Sequence, residues 1–201
     1  MSPLISVVMT TYNEMPHKLP VAIHSIMGQT FQDFELIVYH DGRLNQSFDA
    51  TEEFMENLFP CCGAASSDSR VRFFAPGKQQ GNYGFPMRNA AMQHLKGKWV
   101  VHTSGDNYHL PIYLERFAQA INSNPDAVMV HGDILHNYFS YDYFPTSPGV
   151  GGIDLMCMAA RLDIAKEIPF GLWSGADGEY SQKLADRGKV VRIPKCIGVH
   201  H

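Results

Sequence analysis

Apolar and β-branched residues fall in short runs along the chain, each closed by a polar or glycine-containing turn. Residues 5–10 (Ile-Ser-Val-Val-Met-Thr) and 34–39 (Phe-Glu-Leu-Ile-Val-Tyr) predict strands, the first of a composition suited to burial on both faces. Between them Leu19, Ile23, Ile26 and Met27 recur at helical spacing, and Gly28 can end that helix. Two strands joined by a helix make a βαβ unit, which implies parallel pairing and a right-handed crossover. The pattern continues with a helix over 48–58, a loop over 61–69, a strand over 70–75 and a glycine-rich loop over 77–84. A helix from Pro86 follows, the proline suiting a first turn, and then a buried strand over 99–103.

Beyond that strand lie a helix over 110–122, a strand over 127–131 and an aromatic, Pro- and Gly-rich loop over 137–152. A strand over 153–159, helices over 162–167 and 175–187, and short strands over 190–193 and 197–199 complete the reading. The alternation predicts one α/β domain over 1–201, with a Rossmann-like, mostly parallel sheet flanked by helices. In such a sheet ligands collect beyond the carboxyl ends of the strands. The strand over 99–103 runs straight into Ser104-Gly105-Asp106-Asn107, so Asp106 stands where such a sheet does its chemistry. The plainer alternative is that Asp106 and Asn107 form a turn and cap the next helix.

Composition narrows the function classes. The chain of 201 residues is 45% hydrophobic and 18% charged, ordinary for a soluble domain with a sizeable core. A formal charge of -4 without basic runs gives no nucleic-acid footprint. No apolar run approaches the ~18 residues of a transmembrane segment, and the first residues lack the basic flank of a signal peptide. A cytoplasmic location is therefore expected. The cysteines 61, 62, 157 and 196 show no Cys-x-x-Cys spacing, which argues for reduced thiols and against a cysteine zinc site.

Four stretches in order carry a resemblance: SVVMTTYNE, FELIVYHDG, GNYGFPMRNAAMQHLKGKWVVHTSGDN and GADGEYSQKLADRGKVVRIPKCIGVHH. Together they resemble the family 2 glycosyltransferases, which have the GT-A fold, and the resemblance spans Ser6 to His200. It implies an inverting transfer of sugar from a nucleotide sugar, most often a UDP sugar, to an acceptor hydroxyl. It also divides the domain into a nucleotide-binding half over about 1–107 and an acceptor-side half over about 108–201.

By that resemblance Asp41 would bind the uracil ring, with Thr10, Thr11 and Glu14 lining the nucleoside pocket. A carboxylate can accept the ring N–H in a strong, charge-assisted bond; alternatively Asp41 and Gly42 are only a turn. Arg88 matches the arginine beside the diphosphate, where its planar fork suits phosphate oxygens, unless it is a helix-surface residue. Asp106 matches the last acid of the Asp-x-Asp metal motif, in contact with metal and diphosphate. Here Ser104 replaces the first acid, so fewer charges would hold Mn²⁺ or Mg²⁺, which take oxygen ligands. His200 matches a closing histidine that can add a ligand and favour Mn²⁺, with His201 the weaker choice.

Asp177, opening the late helix, is the expected catalytic base. One carboxylate suffices when the leaving group is a diphosphate, unlike a glycoside hydrolase with its two flanking acids. Glu179 is the competitor, and either acid could merely complement a helix dipole. Trp173 is read as a sugar-stacking residue or as core. His102, His131 and Asp133 are read as structural. Two other functions stay open: a non-enzymatic nucleotide- or sugar-binding module, and a sugar nucleotidyltransferase, although no glycine loop follows the first strand.

Overall fold

Residues 2–12, 18–41, 67–74 and 79–201 are described by the computed structural model. The predicted helix over 48–58, Cys61, Cys62 and Glu14 lie outside them. In chain order the strands are β1 (Ile5–Thr11), β2 (Phe34–His40), β3 (Val71–Phe74), β4 (Trp99–Ser104) and β5 (Tyr108–His109), then β6 (Ala127–His136), β7 (Asp142–Phe144), β8 (Met158–Arg161) and β9 (Lys189–His200). The helices are α1 (Lys18–Met27), α2 (Phe85–Ala91), α3 (Tyr113–Ser123), α4 (Leu162–Ala165) and α5 (Ala176–Ala185).

One mixed sheet runs β3-β2-β1-β4-β8-β6-β9-β5, with β7 folded back on β6. The strands β3, β2, β1 and β4 are parallel, and between β1 and β2 the crossover is the helix α1, as parallel pairing requires. β8 then enters antiparallel to both β4 and β6. Every residue of β1 and β2 is buried, so their near-continuous apolar runs have no polar face to alternate with. On one side α1 buries Leu19, Ala22, Ile23 and Ile26. On α3, Tyr113, Leu114, Phe117, Ala118 and Ile121 form the inward stripe at helical spacing.

The structure departs from the pattern reading where polar residues are buried. β6 runs to His136 instead of stopping at residue 131, because its polar residues are bonded inside the fold. His131 Nδ1 meets the Thr146 hydroxyl at 2.7 Å, and the fully buried Asp133 accepts from the Thr146 N–H and from Arg192. The two predicted final strands are a single strand, β9, interrupted by a bulge. Ile193 pairs with Gly132 and Cys196 with Asp133, so Pro194 and Lys195 are looped out. Pro194 has no N–H to give the ladder, and the bulge absorbs it. The predicted strand over 153–159 is a 3₁₀ turn, Leu155–Cys157, capped by the Asp154 carboxylate and leading into β8.

Candidate active site

A cleft of about 580 Å³ opens at the carboxyl ends of β1, β2 and β4, walled by Thr10, Thr11, Asp41, Tyr83, Ser104 and Asp106, among others. The sequence placed these strand ends together, and the parallel register Thr10–Tyr39 and Thr10–Ser104 brings them level. Asp41 is buried, and its two carboxylate oxygens accept the backbone N–H groups of Gln80 and Gly81, each at 2.7 Å. The loop it holds is backbone-strained. Gly81, Asn82, Tyr83 and Gly84 all have positive φ, at 66, 49, 57 and 74°. For Tyr83 that conformation is costly, and its side chain stands 71% exposed on the rim. At Gly84 a side chain would be strained by the φ of 74°, and its Cβ would press on the Thr10 hydroxyl at 3.0 Å.

Arg88, on α2, is buried beneath this cleft rather than facing it. Nη1 donates to the Thr10 hydroxyl and to the Thr103 carbonyl, and Nη2 donates to the Ser104 hydroxyl at 3.0 Å. The fork that the resemblance assigned to phosphate is closed on the ends of β1 and β4. Burial lowers the guanidinium pKa to about 10, and the charges of Asp154, Asp106 and Asp177 act to raise it. Three carboxylates from three segments therefore share the field of one buried cation.

Asp177 is in the first turn of α5. Burial raises its carboxyl pKa to about 6, helped by the charge of Asp154 and opposed by the Gly178 N–H and by Arg88. The helix is seated by close backbone contact: a Cβ on Gly178 would lie 2.3 Å from Val150 Cα, and the Gly149 N–H donates to Ser181 Oγ at 2.9 Å. Glu179 points elsewhere. Its carboxylate accepts from the Trp173 indole N–H at 2.8 Å and pairs with Lys183 on the exposed side. The Trp173 ring, 45% exposed, lies over Gly171 and Gly175 beside this helix start. His102 is buried edge-on against Phe170 and Tyr180, with neither ring nitrogen hydrogen-bonded among the described residues.

His200 ends β9 directly opposite His136 of β6. The two rings stack with centroids 4.4 Å apart, and His200 Nε2 lies 3.3 Å from Asp154 Oδ2. Asn107 Oδ1 accepts from the His201 N–H at 3.4 Å, which ties the end of β9 to the Asp106 turn. Oxygen and imidazole donors at these positions are of the kinds that hold Mn²⁺ or Mg²⁺.

The family model described as glycosyl transferase family 2 matches residues 6–169. The chain belongs to that family. An uncharacterized glycosyltransferase of Methanocaldococcus jannaschii is 33% identical over 143 residues, 71% of this chain and 42% of that protein. Glycosyltransferase GlyG of Streptococcus pneumoniae is 28% identical over 142 residues, again 71% of this chain and 41% of the relative. The chain thus spans less than half the length of these family members. Among solved structures, Staphylococcus aureus TarS 1-349 in complex with UDP-GlcNAc superposes with a TM-score of 0.72 over 98% of this chain and 58% of its own, at 18% identity. The mannosyltransferase PcManGT of Pyrobaculum calidifontis, solved with GDP-Man and Mn²⁺, gives 0.71 over 100% of this chain and 57% of its own, at 16% identity. These likenesses establish the shared fold of the family.

Two residues of the site escaped the sequence pattern. His136 lies beyond the predicted end of its strand, and Asp154 sits after Gly151-Gly152 where an ordinary strand was expected. The only prior signal was an acid two positions after a glycine pair, Gly151-Gly152-Ile153-Asp154, which favours a turn and a cap over a strand.

Proposed function

We propose that this family member carries out inverting transfer of a sugar from a nucleotide sugar, a UDP sugar, to an acceptor hydroxyl. One observation carries the reading: Asp177, with its pKa raised to about 6, and Asp106, which lines the strand-end cleft, both act on the buried charge of Arg88. A base poised near neutral pH is what proton abstraction from an alcohol requires. The Asp177 carboxylate takes the acceptor proton as the acceptor oxygen bonds to the anomeric carbon. The bond from that carbon to the diphosphate oxygen breaks, and UDP leaves with the electron pair.

Thr10, Thr11 and Asp41 form the nucleoside side of the cleft. Asp41 works partly through the loop it fixes, since its oxygens hold the Gln80 and Gly81 amides. Arg88 acts from below, holding the ends of β1 and β4 in register and placing a positive charge behind them. Asp106 and His200 are the residues the family pattern assigns to Mn²⁺ or Mg²⁺. Such an ion supplies charge neutralisation for a departing diphosphate. Trp173 offers an exposed indole face beside Asp177 for an acceptor ring.

The test is UDP release from a panel of UDP sugars with Mn²⁺, with and without saccharide acceptors. Turnover with at least one donor is expected. Metal-dependent UDP binding with no turnover on any donor would overturn the enzymatic reading in favour of a binding module.

A further inference from the structure

We infer that Asn89 is a positioning residue for the base: its side-chain amide holds the connector between α4 and α5, and through the ring of Phe170 it fixes where the first turn of α5 carries Asp177. The identity of the base rests on the function proposed above; the link from α2 to α5 does not. Asn89 Nδ2 donates to the Phe170 carbonyl at 3.1 Å, and Asn89 Oδ1 accepts from the Phe170 N–H at 2.9 Å. A primary amide presents a donor and an acceptor side by side, so it pairs with residue 170 as a neighbouring strand would. The two residues are 81 positions apart in sequence.

The same helix grips Phe170 twice. Phe85 and Asn89 are four apart on α2 and share a face, and the Phe85 ring stacks on Phe170 with centroids 5.4 Å apart. Phe170 in turn stacks on Tyr180 of α5, at 4.0 Å and an interplanar angle of 29°. Tyr180 follows Asp177 by three residues, on the same side of the helix. His102 of β4 meets both rings edge-on, at 5.0 and 6.2 Å. The Tyr180 hydroxyl and both His102 nitrogens have no hydrogen-bond partner among the described residues. Ring contacts tolerate offset, whereas hydrogen bonds fix direction as well as distance. The Asn89 pair therefore sets the register of the column.

Arg88 and Asn89 divide the work of one helical turn. Successive helix positions are rotated by roughly 100°. Arg88 closes on the ends of β1 and β4 at the cleft, and Asn89 reaches round to the connector. The adjacent pair thus joins the cleft of the nucleotide half to the helix that carries the base. Position matters steeply here, since a misplacement of about 1 Å can cost on the order of 10²-fold in rate. Position also governs the proton. Burial is the main cause of the raised Asp177 pKa, and the charges that act on it are those of Asp154 and Arg88. Releasing the connector admits water to the carboxyl while leaving both charges in the chain.

The experiment compares Asn89→Ala with the parent chain in UDP-sugar turnover from about pH 4 to 8, UDP calorimetry and hydrogen exchange. In the variant kcat should fall roughly tenfold or more, with UDP affinity kept within about twofold. The midpoint of the kcat–pH curve should move down from about 6 toward the ordinary carboxylate range. A role in stability alone would scale kcat evenly at every pH, and an unmoved midpoint would overturn the inference. So would a loss of UDP affinity as large as the loss of kcat. Amides of residues 170–180 should exchange faster in the variant, and those of β2 should not change. Equal exchange would overturn the link whether or not any donor turns over, whereas turnover retained by Asp177→Asn would count against the base itself. If Asn89→Ala does not fold, Phe170→Leu tests the link from its other end. It keeps the backbone pair, removes the ring that meets Tyr180, and should give the same split between kcat and UDP affinity.

Discussion

Ser104 Oγ accepts a hydrogen bond from Arg88 Nη2 at 3.0 Å, at the position that the resemblance aligns with the first acid of the Asp-x-Asp motif. A carboxylate there would pair with the guanidinium directly. A neutral hydroxyl leaves the Arg88 charge to be balanced by Asp154, Asp106 and Asp177. The buried cation is thereby committed to three acids at once.

Removing that cation should therefore damage both stability and binding. Arg88→Met leaves buried acceptors on β1 and β4 without a donor, a class of change that costs about 1–3 kcal/mol for each group left unsatisfied. We expect a lower midpoint in urea unfolding and weaker UDP binding in calorimetry. Unchanged UDP affinity in a folded Arg88→Met would show that the strand ends keep their register without it.

Asp177→Asn should keep UDP affinity within a factor of about two and lower transfer by at least the 10²–10⁴ typical of a lost general base. In the parent protein kcat should rise with pH through about 6 and level off above, because only the ionised carboxylate accepts a proton. A flat profile between pH 5 and 8 with active enzyme would remove Asp177 from the role.

The same residue makes a prediction about stability. Its pKa is higher in the fold than in the unfolded chain, so ionising it favours unfolding. The penalty is absent below about pH 4, grows between pH 4 and 6, and is full above that. Two pKa units correspond to about 3 kcal/mol at most. Metal-free Asp177→Asn should match the parent in thermal unfolding at pH 4 and exceed it at pH 8.

Asp41→Ala frees two amides of the strained rim loop, Gln80 and Gly81. Hydrogen exchange at residues 80–84 should speed up, and UDP affinity should fall roughly tenfold or more, the scale of one lost charge-assisted bond. A change in affinity without a change in exchange would mean that Asp41 meets the base directly and does not work through the loop.

Gly178→Ala forces a methyl onto the Val150 backbone. Overpacking of this kind costs about 1–3 kcal/mol, and it pushes α5 away from the segment carrying Asp154. The expected outcome is a fall in kcat larger than any change in UDP affinity, measured alongside the melting temperature.

The parallel half of the fold was legible because β1, β2 and β4 are simple buried runs with turns at their ends. The strand-end positions of Thr10, Asp41 and Asp106 followed directly from that periodicity. What the pattern hid lies in the second half. β6 continues through His131, Asp133 and His136 because Thr146, Arg192 and a neighbouring strand satisfy them, and no local signal announces partners so distant in sequence. That Asp177 and Glu179 face different surroundings was legible from helical spacing. The enclosure of Arg88 was not, since a sequence does not reveal which neighbours cover a side chain.

The chain has two tryptophans, and they occupy opposite surroundings: Trp99 is 5% exposed within β4, while Trp173 is 45% exposed near the start of α5. Long-wavelength excitation reaches both indoles, but the exposed Trp173 emits further to the red than the buried Trp99 and is the one open to a quencher. The protein thus carries its own reporter near the start of α5, and if the proposed acceptor site lies there, a bound saccharide will alter that emission with no label attached.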